Sequence, residues 1–531
     1  TAQAGRPPGL EAAAPVTDRA SPQPAALPSV RRTAAALFLA LLGLFALSTG
    51  GHTYSSDEEG MLQQMRAVSA GRYWFELPPD NGVTPVRAGR DGRTTGVSGL
   101  GQSVVGLPFY AVGQGAAHLV GAEERDAVMR MFVMFTNSAV TAAIAVVVFL
   151  LAAQLGASRR SSVALALIYA LGTMAWSHAK TFFSEPLAAL LVAVAVLLAF
   201  RATEHDRPSL AAWSGLAAGA ALLARVSTGL FPPLIGLYLL VVATRRFGLR
   251  RGVTAIVAYG AGAVPTLVLF GAANWWRYGS VFDLGYEQVP LNYPLPSGLA
   301  GLLLSPGKSI FLYAPVVLVA VLALPVAIRR RPPEVLLLLG ASTANVIFFA
   351  RFPSWHGDHA WGPRYLQIVL PLMVALCAPV LGRLRWRRAV AVAGVVGFGM
   401  AGSLGAVLYY NDYLDAAFHS FGGEQVHGEA NYLYQLHHVA SRSPIVGHAA
   451  RVNNALSNAL GWIDGSDPGL KPYPATINEQ YFWFFYPPQL DTWWVWLPAM
   501  GVTRWFWLLG VLFAAVSATG WWRLRWVIRH S

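Results

Sequence analysis

The chain is poor in charge: only 12% of its 531 residues are Asp, Glu, Lys or Arg, against roughly a quarter in an ordinary soluble domain. That shortage excludes a surface made mainly for water. Cysteine is almost missing. The single Cys377 lies within an apolar run, which rules out an intrachain disulfide and any CxxC metal or redox site. Acid is scarcer than base, with 26 Asp and Glu against 39 Lys and Arg and a net charge of +13. The arginines nevertheless come in short clusters between apolar runs and build no single basic face, which excludes a nucleic-acid partner.

What is abundant is hydrophobicity, at 55% of residues. It is gathered into runs near the ~18 apolar residues that mark a membrane-spanning helix. The expected fold is therefore an all-α polytopic membrane protein. Its runs predict twelve helices, near Thr33 to Thr49, Ala127 to Leu155, Ser161 to Trp176, Glu185 to Phe200, Leu210 to Leu223 and Thr228 to Ala243. The rest fall near Val253 to Trp275, Lys308 to Ile328, Pro333 to Ala350, Pro363 to Leu381, Ala389 to Leu408 and Thr503 to Trp526. Residues 1–32, rich in Pro and Ala, read as a disordered cytoplasmic tail. No AxA-like cleavage signal closely follows the first run, so it reads as a retained helix.

Cytoplasmic connections carry the Lys and Arg excess, and here the clusters Arg31/Arg32, Arg159/Arg160, Arg201/Arg207, Arg245/Arg246/Arg250/Arg251, Arg329/Arg330/Arg331, Arg383/Arg385/Arg387/Arg388 and Arg523/Arg525/Arg529 fall on one side. Both termini are then cytoplasmic. The opposite side receives three long connections, Gly50 to Asp126, Arg277 to Pro306 and Tyr409 to Val502, and function is expected there. The organisation that follows is a core at 33–408 including the outer loop 50–126, an aromatic-rich outer segment at 409–502, and a last helix at 503–531. Gly101 to Val120 carries Gln102, Gln114 and His118, and spanning would send every later cluster to the wrong side. It reads as a re-entrant or interfacial helix.

Several ionisable residues stand at the outer helix ends: Arg130, Lys180, Glu185, Arg225, Lys308 and Arg364. Charge at such depth is costly and points into a protein cavity, although any single cation can instead snorkel to the headgroups. Five cations together want an anion, for which a lipid phosphate entering from the bilayer is suited. The acidic counterpart is Ser55-Ser56-Asp57-Glu58-Glu59, whose carboxylates could serve as general base or hold a divalent ion such as Mg or Mn. A bland reading is a solvated acidic loop. The outer-loop run Trp355-His356-Gly357-Asp358-His359 offers further metal ligands in His356, Asp358 and His359, or hydrogen bonds to a substrate, but lacks the HEXXH spacing. Ser305-Pro306-Gly307-Lys308-Ser309 resembles a phosphate-binding P-loop, yet Pro306 stands where the motif needs Gly. The aromatics Tyr481, Trp483, Phe485, Tyr486, Trp493, Trp494 and Trp496 suit sugar faces, but an interfacial belt is the plainer reading for the tryptophans.

In order and membrane side these features resemble the GT-C superfamily of membrane glycosyltransferases, which use polyprenyl-phosphate-linked sugars. The resemblance rests on Asp57-Glu58 after the first helix, Gly101-Gln102-Ser103 and Pro108-Phe109-Tyr110, Lys180 to Pro186 (KTFFSEP), Ser305 to Pro315 (SPGKSIFLYAP) and Trp361 to Leu366 (WGPRYL). It reaches to about Leu381 and lies nearest the protein mannosyltransferases and the aminoarabinose transferases of lipid A. It implies long outer loops with short interfacial helices, Asp57 as catalytic base or metal partner with Glu58 beside it, and Lys180, Arg225, Lys308 and Arg364 on the lipid-linked phosphate, with Glu185 and Gln102 in the same donor site. The implied acceptor is a glycan, lipid or protein. High Ala, Arg and Gly content points to a GC-rich bacterial genome, a source that polyprenyl phosphate fits, and the expected location is a bacterial inner membrane. The rival reading is a twelve-helix secondary transporter, whose site would lie at the bilayer midplane between similar halves. No such repeat is evident.

Overall fold

The computed structural model describes residues 27–76, 85–286, 290–358, 360–382, 386–408, 417, 419–427, 429–452, 490–499 and 506–529. Among these, eight helices are long and apolar enough to cross a membrane, and the chain is a multi-pass membrane protein. The eight include α1 (Leu27–Ser48), α4 (Arg125–Gln154), α7 (Glu185–His205), α9 (Phe231–Phe247), α10 (Leu249–Tyr278) and α14 (Pro332–Ala350), and the last two are α17 (Trp386–Leu408) and α20 (Trp507–Arg529). The shorter helices are α2 (Ser56–Ser69), α3 (Leu100–Ala117), α5 (Arg159–Leu171), α6 (Ala175–His178), α8 (Pro208–Ala224), α11 (Leu295–Leu304), α12 (Ile310–Tyr313), α13 (Val316–Arg330), α15 (Leu370–Ala375), α16 (Ala378–Leu381), α18 (Asn431–His438) and α19 (Trp493–Ala499).

Three expected spans are broken, each for a local reason. Ser161 to Trp176 stops at Leu171, where Gly172 and Thr173 let the chain turn before α6. Lys308 to Ile328 begins instead at Val316, because Ser305 and Ser309 cap their own short turn and Pro315 restarts the helix. Pro363 to Leu381 divides into a 3-10 turn (Arg364–Ile368), α15 and α16. Pro371 and Pro379, which donate no amide hydrogen, stand in the first turn of each new piece.

Helix packing rests on close backbone approach. A Cβ at Gly520 would collide with the backbone of Ala40, and Ser517 donates to the Ala40 carbonyl at 2.9 Å, so α1 and α20 pair closely. Gly215 and Gly262 do the same for α8 and α10. Helix α2 begins with a capping box, Ser55 accepting from the Glu58 amide while Glu58 reaches back. It is fastened to α4 by Glu59, which takes both arms of Arg130, while Arg130 and Arg66 share Asp126. Helix α3, expected as an interfacial piece, packs on α2 and α4. A two-strand hairpin, β1 (Val86–Ala88) with β2 (Thr94–Gly96), lies at the far end of α10, where Arg277 donates to the Ser98 carbonyl at 2.6 Å. Glu185 of the site described next opens α7 while Arg201 lies near its other end, and Arg329, Arg330 and Arg331 precede α14 while the loop to Arg364 follows it.

Candidate active site

Asp57 occupies the first turn of α2 with its side chain 37% exposed, and Arg364 Nη2 lies 2.8 Å from its Oδ2. Behind that pair is Glu185, fully buried at the start of α7, 3.7 Å from Arg364 Nε and 3.1 Å from Arg225 Nη1. Neither Glu185 oxygen has a hydrogen bond. Two guanidiniums, Arg364 buried and Arg225 half-buried, therefore share one buried carboxylate, and Asp57 adds a second where the chain meets an open pocket. The aromatic rings of Phe183 and Tyr365 hold the arginines flat: Arg364 lies 4.7 Å from the Phe183 centroid, and both arginines lie about 5 Å from Tyr365.

The pocket in front of Asp57 has a volume of about 290 Å³ and is bordered by Ser56, Asp57, Phe183, Asp358, Arg364 and Tyr432. Asp358 Oδ2 is 3.7 Å from Arg364. The loop that carries Asp358 and Arg364 turns through three positive φ values, at Gly357 (64°), Asp358 (55°) and Gly362 (67°). Gly357 is required twice over, because a Cβ there would meet the Arg364 side chain at 2.8 Å.

Other expected site residues hold the scaffold. Lys308 donates to the carbonyls of Asp358 (2.7 Å), Ala360 (2.7 Å) and Gly362 (3.2 Å), so its three protons shape the arginine loop. Burial pushes its ammonium down to about 7. Lys180 is occupied likewise, by the Val407 carbonyl at 2.7 Å, the Asp491 carbonyl at 2.9 Å and Asp491 Oδ2 at 2.8 Å. Both ammoniums are thus engaged by the protein's own acceptors, where the resemblance implies a lipid-linked phosphate. Glu58 faces inward and accepts from the amides of Tyr54, Ser55 and Phe182. Burial pushes its carboxyl up to about 8 against the pull of those amides. Gln102 is buried and donates to Asn137, which in turn donates to the Phe183 carbonyl at 2.8 Å, so it supports the pocket wall from behind.

The metal reading finds no cage. Among the described residues no three His, Cys, Asp or Glu side chains converge on one point. Asp57 and Asp358 both face Arg364, Glu58 faces amides, and the His356 Nδ1 accepts from the Asp358 amide at 2.9 Å. His359 lies outside the described residues. The arrangement fits an anion beside Arg364 better than a divalent cation.

Two features escaped the sequence reading. Asp491 forms a buried cluster with His52 (2.7 Å), Tyr54 (2.8 Å) and Lys180 (2.8 Å), and its amide donates to the Leu408 carbonyl at 2.6 Å. Burial opposes its charge, but Lys180 and His52 outweigh that and hold its carboxyl below the usual range. The available signal was one acid just before an apolar aromatic run. The other is Tyr432. Of the outer aromatics, Tyr481, Trp483, Phe485 and Tyr486 lie outside the described residues, as does the Trp496 side chain. Trp493 corrects the belt expectation: it is fully buried and donates to the Ala46 carbonyl at 2.8 Å, while Trp494 donates to Leu47.

No family model and no curated protein matches the chain. Among solved structures, the oligosaccharyltransferase AglB of the archaeon Archaeoglobus fulgidus, in complex with an inhibitory peptide and a dolichol-phosphate, is similar over 86% of this chain and 61% of its own, with 13% sequence identity and a TM-score of 0.46. The chain thus spans less than two thirds of that protein.

Proposed function

We propose that this protein is a membrane glycosyltransferase of GT-C type, moving a sugar from a polyprenyl-phosphate donor to a hydroxyl on the non-cytoplasmic side of a bacterial inner membrane. One observation carries the reading: a part-exposed carboxylate, Asp57, borders a polar pocket with the buried Arg364, and Arg225 stands behind it on the shared Glu185. An apolar groove of about 360 Å³, bordered by Leu303, Phe311, Val317, Leu324 and Val346, opens between α11, α13 and α14. Its lining suits a lipid tail.

The chemistry follows from charge. The donor phosphodiester enters beside Arg364 and competes with Asp57 for the guanidinium, so donor binding frees the base. The acceptor oxygen then attacks the anomeric carbon, the bond from that carbon to the phosphate oxygen breaks, and Asp57 takes the hydroxyl proton. Direct displacement inverts the centre. The departing phosphate gains a negative charge, which Arg364, with Arg225 behind it, stabilises more in the transition state than in the ground state. Lys308 and Lys180 act at one remove by fixing the loops. No step passes through a metal.

The test is transfer by purified protein in liposomes from a panel of polyprenyl-phosphate sugars. Asp57→Asn should lower the rate by about 10²- to 10⁴-fold and leave the melting temperature nearly unchanged, because a partly exposed pair contributes little to stability. Transfer at the wild-type rate in that variant would remove Asp57 from the mechanism. EDTA should have no effect.

A further inference from the structure

One wall of the pocket comes from far along the chain. Tyr432 opens helix α18 in the segment described at 419–452, and it borders the same 290 Å³ space as Asp57, Phe183 and Arg364. The segment is fixed where it touches the site. The Gly307 amide donates to the His437 carbonyl at 3.1 Å, and the His437 ring lies 4.9 Å from that of His356, beside the buried Trp355. Within the segment the Tyr432 amide donates to the Gly422 carbonyl at 3.1 Å, and Asn431 holds the Phe421 carbonyl at 2.9 Å. The tyrosine is thus set by two turns of its own segment and by that segment's seat on the arginine loop.

We propose that Tyr432 is a specificity-determining residue, the flat wall against which the transferred sugar rests while its phosphate meets Arg364. The inference builds on the glycosyl-transfer reading and names what the pocket takes. A volume of 290 Å³ lies at the low end of the ~300–1,000 Å³ typical of small-molecule sites, so the donor carries one sugar unit and not a long oligosaccharide. A tyrosine ring covers the apolar face of a sugar. Of the two aromatic rings bordering the space, Phe183 is covered by Arg364, and Tyr432 is the other.

The experiment compares wild type, Tyr432→Ala and Tyr432→Phe using short-chain polyprenyl-phosphate mannose, glucose and arabinose as donors, with sugar-free polyprenyl phosphate as competitive inhibitor. Tyr432→Ala should raise the donor KM about three- to tenfold, the loss expected for one aromatic contact, with kcat less affected. Its ratio of KM values among the three sugars should also shift. Inhibition by polyprenyl phosphate should be unchanged, because the phosphate and tail do not touch this wall. Tyr432→Phe should recover the KM. An unchanged KM in Tyr432→Ala, or a weakening of polyprenyl phosphate equal to that of the donors, overturns the assignment. A wild-type protein that turns over no donor yet runs the same controls overturns the transfer reading itself, and Tyr432 with it.

Discussion

The buried cluster at Asp491 invites a double-mutant cycle with Lys180. The two side chains are 2% and 1% exposed and 2.8 Å apart, so solvent screens them little. Removing one member of such a pair leaves an uncompensated charge in a low dielectric and costs about 3–5 kcal/mol. Asp491→Ala strands the Lys180 ammonium among carbonyls, and Lys180→Met strands the carboxylate with His52 and Tyr54. Each single variant should therefore lose about 3 kcal/mol or more. The double variant removes both charges together and should cost at least about 2 kcal/mol less than the sum. Reversible unfolding by SDS in mixed micelles, followed by tryptophan fluorescence, measures all four corners. Costs that add to within about 0.5 kcal/mol would refute the pairing. Because the Asp491 amide also holds Leu408, the same cluster fastens together the two ends of the connection between α17 and α19.

Two further outcomes are expected. Glu185→Gln leaves Arg225 and Arg364 with no buried counter-charge, so it should destabilise the protein by about 3–5 kcal/mol. Millimolar phosphate should restore part of the melting temperature, whereas a variant as stable as wild type and indifferent to phosphate would show that the arginines do not depend on Glu185. The two buried histidines should also cost stability on acidification, against an opposing gain from Glu58, whose raised carboxyl takes up a proton in the folded chain first. Burial pushes His437 down to about 3 and His178 to about 4, so between pH 6.5 and those values the unfolded chain binds protons that the folded chain refuses. At pH 5 this amounts to about 2 kcal/mol for each histidine. Asp491, held low, keeps its contribution through that range and is weakened only below it. Melting temperatures of wild type and His437→Asn at pH 7.5, 6 and 5 isolate the histidine from Glu58: the variant should gain on wild type as the pH falls, and a difference independent of pH would contradict the burial argument.

The helices were legible because lipid leaves the backbone no other partner than itself, so long apolar runs announce them. The positions of α4, α7, α8, α10 and α14 follow the hydropathy closely. What the runs did not disclose was interruption. Composition counts Pro315, Pro371 and Pro379 as ordinary members of apolar stretches, yet each restarts a helix, and the turns they create carry Lys308 and Arg364. The site lies where the periodic signal fails, as expected when irregular backbone within a membrane protein borders a cavity.

Charge against the topological trend was the more useful guide, and it separates on inspection into two kinds. Glu185, Arg225 and Arg364, flagged singly, meet one another beside Asp57. Lys180 and Lys308, flagged on the same ground, each end on three acceptors contributed by remote segments. No local pattern distinguishes the two kinds, because the deciding partners are carbonyls, which every residue has, and an aspartate 311 positions away. A planar guanidinium can satisfy a neighbour with one edge and still present another edge to a ligand, whereas an ammonium engaged by three carbonyls has no proton left to offer. For that reason the proposed reaction gives the anion to the arginines and leaves the lysines to brace the loops around them.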